Sequence, residues 1–192
     1  MAKFDHFNLI GPIYDWVFGR NASLRIHDLI DLEAHHTLLD VGGGTGRVTS
    51  QLNAITSHAI IADSAMKMLQ VAEKKGLKGV NAESEKLPFQ DGSFDRIIMV
   101  DVFHHVADQQ GTLDEVWRTL QPGGKLVIEE PNIHNWVVKL IALGEKLLLM
   151  RSHFREPQEI IDMCNFTGVN KLDMLTEGGI AWVIIDKSIS NP

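Results

Sequence analysis

Leu38-Leu39-Asp40-Val41-Gly42-Gly43-Gly44-Thr45-Gly46-Arg47 decides how the rest of this chain is read. A short apolar strand closes on an acidic residue, and glycines follow at every second position (Gly42, Gly44, Gly46). Glycine reaches backbone conformations closed to other residues and lets a ligand approach with no Cβ in the way. Val48 to Ile55 reads as a helix, so the segment is a strand, a glycine turn and a helix start, the context a nucleotide-type site requires. The spacing is Asp-x-Gly-x-Gly-x-Gly, whereas dinucleotide sites carry G-x-G-x-x-G. That difference weighs against a nicotinamide-dependent oxidoreductase.

Outward from this stretch, strands alternate with helices. The first strand is Thr37 to Val41, and His58 to Ala62 reads as the second. Ser64 is the expected N-cap of a helix from Ala65 to Lys75. Val80 to Ala82 is a short third strand. Phe94 to Val100 is a near-continuous apolar run, as expected of a strand covered on both faces. Leu113 to Leu120 reads as a helix broken by Pro122-Gly123-Gly124, and Lys125 to Glu129 is the fifth strand. Helices are expected over residues 4–18, bent at Gly11-Pro12, and over 24–32, 135–150 and 158–166. Two closing strands fall near 169–175 and 181–185. The pattern predicts one α/β domain, a doubly wound and mainly parallel seven-stranded sheet with N-terminal and late helical additions. Its expected division is a cap (1–35), a cofactor-binding core (36–130) and acceptor-side helices with closing strands (131–192).

The 192 residues are 44% hydrophobic and 22% charged, ordinary for a globular protein. The formal net charge of −7 argues against a nucleic-acid partner. A single cysteine, Cys164, forms no internal disulfide, and no signal-type apolar segment opens the chain. The apolar stretch Trp136 to Met150 is interrupted by Lys139, Glu145 and Lys146 and falls short of a spanning helix. A cytoplasmic protein with no transmembrane segment is the simplest expectation.

Chemistry gathers where successive strands end, the edge at which open α/β sheets bind ligands. Asp40 and the glycines follow the first strand, Asp63 ends the second, Glu83 follows the third, and Asp101 to His105 follow the fourth. Asp63 is placed to accept both hydroxyls of a ribose, although capping the next helix is its plainer role. Glu83 is placed to meet an adenine amino group or simply to sit solvated. Asp40, in an otherwise apolar strand, requires a hydrogen bond or a cation. It either orders the glycine loop or faces a ligand ammonium through it.

The order and wording of these segments resemble the class I S-adenosylmethionine-dependent methyltransferases, a Rossmann-like fold family. The nearest likeness is to the small-molecule branch that includes the ubiquinone and menaquinone C-methyltransferases. The matching text is 38–46 (LLDVGGGTG), 60–69 (IIADSAMKML), 82–95 (AESEKLPFQDGSFD) and 117–128 (WRTLQPGGKLVI). The resemblance covers about residues 38 to 130, with weaker support from Tyr14-Asp15. It implies S-adenosylmethionine as donor and S-adenosylhomocysteine as product. Gly42, Gly44 and Gly46 are then expected along the methionine moiety, Asp63 with Ser64 at the ribose, Glu83 with Ser84 at the adenine edge, and Asp101 near the amino acid group. Tyr14 joins this set from the N-terminal segment. Ala62 and Gly43 depart from residues common in the family.

A methyl group on a sulfonium is already a good electrophile, so the protein's task is to place an acceptor in line and exclude water. A base is needed only where the acceptor keeps its proton. His104 and His105 are the candidate bases, with sheet-edge architecture as their plainer role; His134 and His153 are weaker ones. Cys164 lacks an evident basic partner. No metal site is expected. The acceptor is a small molecule, and an apolar pocket is expected between Phe7, Ile10, Tyr14, Trp16 and Phe18 and the 136–150 stretch, which could equally rest on a membrane surface. A cofactor-binding protein that acts through a partner remains the alternative. The sequence leaves acceptor identity and oligomeric state open.

Overall fold

The structure is a computed structural model that describes residues 22–132 and 153–189. Helix α1 (Ala22–Leu29) leads into β1 (Leu38–Val41), and the short α2 (Thr49–Leu52) follows the glycine turn. Then come β2 (Ala59–Asp63), α3 (Met66–Lys74), β3 (Lys78–Asn81) and β4 (Phe94–Val100). A 3-10 turn (Phe103–His105) precedes α4 (Gln109–Thr119) and β5 (Leu120–Pro131), and the chain closes with α5 (Pro157–Met163), β6 (Val169–Glu177) and β7 (Ile180–Lys187). Among the described residues the seven strands form one sheet in the order β3-β2-β1-β4-β5-β7-β6. The pairs β1–β2, β1–β4, β2–β3 and β4–β5 are parallel, while β7 runs antiparallel to both β5 and β6. This is the expected doubly wound sheet, with β7 alone reversed.

Alternation along the strands sorts the core into two layers. Leu39, Val41, Ile97, Met99, Leu126 and Ile128 face Leu113 and Val116 of α4 and Ile160 and Cys164 at α5. Leu38, Ile98, Val127 and Trp182 face Ile26 and Ile30, one turn apart at α1, with Val48 and Leu52 beside α2. Ile97, Ile98 and Met99 are all fully buried, which is why β4 reads as a near-continuous apolar run. Below the sheet's carboxyl edge, Arg118 of α4 binds Glu115 at 2.8 Å, Asp91 at 2.7 Å and the Phe89 carbonyl at 2.9 Å. The Leu-Pro-Phe-Gln-Asp-Gly segment is thus a strapped loop.

Several boundaries differ from the sequence reading. Helix α3 starts at Met66 with Ala65 as its N-cap, and no side chain caps it. Ser64 does not supply the expected cap; Asp63 Oδ1 accepts from the N–H of Ala65 at 2.7 Å and braces the turn that enters the helix. Helix α4 begins four residues early because Asp108 caps it, accepting from the Gly111 N–H at 2.9 Å. Pro122-Gly123-Gly124 lies inside β5, at a register shift between the Phe94–Leu120 and Arg96–Lys125 pairs. The expected helices over 4–18 and 135–150, with Tyr14, His134 and most of the predicted acceptor pocket, lie outside the described residues.

Candidate functional site

The strand order reverses around β1 and β4, so connections leave these two strands toward opposite faces and a crevice opens at their carboxyl ends. The glycine loop fills it. Gly42, Gly44 and Gly46 all have positive φ (72°, 54° and 73°), the left-handed region that side chains resist. Their further reasons differ. A Cβ on Gly42 would stand 2.1 Å from Val102 Cγ2, and one on Gly46 2.3 Å from Leu77 Cδ1. On Gly44 the nearest atom would be Asp63 Oδ2, at 3.8 Å. Packing therefore demands two of the glycines, and the third flanks open ground beside a carboxylate.

Asp63 stands at the end of β2, half-buried, with both oxygens fixed by backbone: Oδ2 accepts from the Gly44 N–H at 2.8 Å, and Oδ1 from the Ala65 N–H. One carboxylate thus holds both the glycine loop and the turn that enters α3. A carboxylate has acceptor sites on both oxygens, enough to take two adjacent hydroxyls.

Asp40 is 1% exposed and lies under the loop. Its Oδ2 accepts from Thr49 Oγ1 at 2.5 Å, while Oδ1 is buried with no hydrogen-bond partner. A Cβ on Gly43 would stand 2.5 Å from the Asp40 carboxyl carbon, which accounts for glycine there. Burial pushes the Asp40 carboxyl up to about 6, against the pull of the Thr49 hydroxyl. Asp40 therefore ties the end of β1 to the start of α2 through Thr49.

Asp101 follows β4 with φ 59°, a conformation uncommon outside glycine, and its N–H donates to the Glu129 carbonyl at 2.9 Å. Such strained residues gather at functional edges, where surrounding structure holds them. Ser64 and Glu83 are exposed at the ends of β2 and β3. Ser84 Oγ lies 3.0 Å from Thr112 Oγ1, tying its loop to α4.

His104 is 2% exposed, with Nδ1 2.5 Å from Glu130 Oε2 and its ring stacked on Phe154 at 4.3 Å. His105 leans on it at 3.9 Å. Burial, and His104 beside it, push the His105 imidazole down to about 3. His105 therefore stays neutral near pH 7 and is a feeble proton acceptor. The His153 side chain is exposed; its backbone N–H donates to the His104 carbonyl at 2.6 Å. Cys164 is buried, with its thiol pushed up to about 12, and so is inert.

Two site acids escaped the sequence reading. Glu129 and Glu130 end β5 and, as strand neighbours, turn to opposite faces. Glu129, 3% exposed, accepts from Trp182 Nε1 at 2.6 Å, and burial pushes its carboxyl up to about 7. Glu130, 5% exposed, accepts from the Val102 and Phe103 N–H groups at 3.0 and 2.6 Å through Oε1. The available signal was two acids closing the apolar run Leu126-Val127-Ile128, at the same edge as the other site residues.

A glycine loop at the switch point, flanked by an acid poised for a ribose, defines the nucleotide-type cofactor domains of the α/β class. Comparison with known proteins adds to this. Residues 39–128 match the family described as a methyltransferase domain. It is 39% identical over 106 residues to the ubiquinone/menaquinone biosynthesis C-methyltransferase of Pseudoalteromonas translucida, covering 50% of this chain and 42% of that one. It is 33% identical over 139 residues to the demethylmenaquinone methyltransferase of Thermus thermophilus, covering 65% and 63%. The chain thus spans about two-fifths of the first of these relatives. Among solved structures, an S-adenosylmethionine-dependent methyltransferase of Thermotoga maritima superposes with a TM-score of 0.78 at 22% identity, covering 95% of this chain and 98% of that one. The cyclase SpnF superposes with a TM-score of 0.75 at 13% identity, covering 96% and 94%. These structural likenesses establish the fold.

Proposed function

We propose that this chain transfers the methyl group of S-adenosylmethionine to a small aromatic acceptor of the quinol type. The observation that carries the donor half is the Asp63 carboxylate. Two backbone N–H groups aim it, and it borders open ground over Gly44. The loop glycines then run along the methionine moiety, and Asp63 with Ser64 holds the ribose. Glu83 with Ser84 borders the adenine, and Asp101 lies near the amino acid group. Tyr14 belongs to this reading from outside the described residues. The acceptor half rests on the relatives, whose names specify quinone substrates.

Such a reaction asks the protein to bind, orient and keep water out. The acceptor's nucleophilic carbon attacks the methyl carbon as the carbon–sulfur bond breaks, and its electron pair returns to sulfur as S-adenosylhomocysteine. A quinol acceptor is apolar, and this reading places the protein in the cytoplasm with peripheral contact to a membrane. No helix among the described residues is long and apolar enough to cross one.

Calorimetric titration with S-adenosylmethionine, S-adenosylhomocysteine and NADH tests the donor. Turnover of a panel of reduced 1,4-naphthoquinone, phenols, amines and carboxylates tests the acceptor. Binding of the adenosyl compounds alone, with methyl appearing on the naphthoquinol ring carbon, is the expected result. Binding of NADH alone overturns the donor assignment, and methylation confined to amines or carboxylates overturns the acceptor class.

A further inference from the structure

The glycine loop is held from its outer side as well as from β2. Lys75, just past α3, donates from Nζ to the Thr45 carbonyl at 2.9 Å, although 30 residues of chain separate them. The way α3 ends explains how the lysine gets there. The Gly76 N–H donates to the Glu73 carbonyl at 2.9 Å and the Leu77 N–H to the Ala72 carbonyl at 3.2 Å, with Gly76 at φ 79°. In this Schellman arrangement the chain folds back over the last helical turn and packs an apolar residue against it. That residue is Leu77, which joins Ala72, Leu69 and Ile61 in a small buried cluster. Gly46 lies directly on the cluster: a Cβ there would stand 2.3 Å from Leu77 Cδ1, 3.0 Å from Ile61 Cδ1 and 3.5 Å from Ala72 Cβ. Packing therefore brings the end of α3 against the end of the loop, and Lys75 stands on the exposed rim of that contact.

The bond matters because of the peptide it takes. The Thr45 carbonyl and the Gly46 N–H belong to one planar unit. Its N–H end donates to the Gly43 carbonyl at 2.9 Å, and its C=O end accepts from Lys75. Glycine takes either sign of φ at little cost, so a peptide beside a glycine is among the easiest in a chain to turn over. Turning this one would break both bonds and reverse the dipole at that point of the loop. We infer that Lys75 is a positioning residue for the donor, holding the Thr45–Gly46 peptide in the orientation that the methionine moiety of S-adenosylmethionine meets. This rests on the donor assignment above and adds to it a residue that acts through the loop.

The test compares Lys75→Met, which keeps the apolar stem and loses the donor group, with Lys75→Arg, which keeps a donor of similar reach. Calorimetric titration is expected to show S-adenosylmethionine and S-adenosylhomocysteine weakened by the same factor in Lys75→Met, about tenfold, as for the loss of one charge-assisted hydrogen bond. The factor is shared because the two ligands carry the same methionine chain up to the sulfur. Lys75→Arg should stay within about threefold of wild type, since it restores the bond. In turnover with reduced 1,4-naphthoquinone, the loss should fall on the KM for S-adenosylmethionine and not on kcat. Hydrogen exchange at the Gly46 amide of the unliganded protein should quicken about tenfold in Lys75→Met and stay near wild type in Lys75→Arg.

Donor affinity in Lys75→Met equal to that of wild type overturns the assignment, and so does a Lys75→Arg as weak as Lys75→Met. A loss confined to S-adenosylmethionine, with the product unaffected, overturns it as well, because it would mark an effect of charge on the sulfonium and not of the loop. Thermal melts of the unliganded variants should coincide with wild type, since Lys75 is exposed, and so separate positioning from unfolding. A wild type that binds neither adenosyl compound overturns the donor reading itself. Exchange at Gly46 then judges the clasp alone, and equal rates in wild type and Lys75→Met overturn that too.

Discussion

Replacing Glu129 with glutamine should make the protein more stable, by an amount that grows from about pH 4.5 and is complete above pH 7. The carboxyl of an unfolded glutamate titrates near 4.5, and burial at the end of β5 lifts it to about 7 in the folded chain. Below pH 4.5 both states hold the proton and the group contributes nothing. Between 4.5 and 7 the folded state holds more protons than the unfolded one, so stability falls as pH rises. Above 7 the whole penalty stands. The difference between the two values corresponds to about 3 kcal/mol. Glutamine carries no charge and keeps an oxygen for Trp182 Nε1–H, now accepted at 2.6 Å. In a chain of this size that is about 6–12 °C in Tm.

Scanning calorimetry of wild type and Glu129→Gln at pH 5 and pH 8 reads the effect directly. The expected pattern is near-coincident melts at pH 5 and a higher-melting variant at pH 8. An equal gap at both pH values, or a less stable variant at pH 8, would refute the argument that burial of this charge burdens the fold.

The loop glycines should separate by mechanism. Gly42→Ala drives a Cβ into Val102 and should cost about 3 kcal/mol in a denaturant melt. Gly44→Ala should cost about 1 kcal/mol from its backbone alone, yet weaken S-adenosylmethionine at least tenfold by calorimetry. Asp63→Asn removes the charge and one acceptor oxygen, so donor affinity should fall by about 1–3 kcal/mol. Unaltered affinity discards the ribose assignment. Thr49→Val takes away the hydroxyl bound to Asp40 and should cost about 1–3 kcal/mol at pH 8. Melts at pH 5 should show less, because burial already protonates most of the Asp40 carboxyl there.

What could be read from sequence was what local physics dictates. Phe94–Val100 was legible to the residue, because the buried run Ile97-Ile98-Met99 marks a strand packed on both faces even with Asp95 and Arg96 near its start. The glycine spacing was legible because its three positive φ values admit little else. Ser64 misled because capping preference is a weak local rule. Asp63, one residue earlier, instead braces the turn into the helix through the Ala65 N–H while also holding Gly44. Pro122-Gly123-Gly124 reads locally as a break, yet pairing with β4 and β7 carries the strand through it as a bulge. The Glu130–His104 and Glu129–Trp182 pairs were hidden for another reason. Their partners are 26 and 53 residues apart, and only the sheet order brings them together.

The placement of β7 has a consequence for how the molecule is made. β6 leaves the ribosome before β7 but touches the sheet only through it, across a turn in which Gly178 and Gly179 both have positive φ. The last hairpin must therefore join as one piece. Until it does, β5 is a bare edge and Glu129 has no indole beside it.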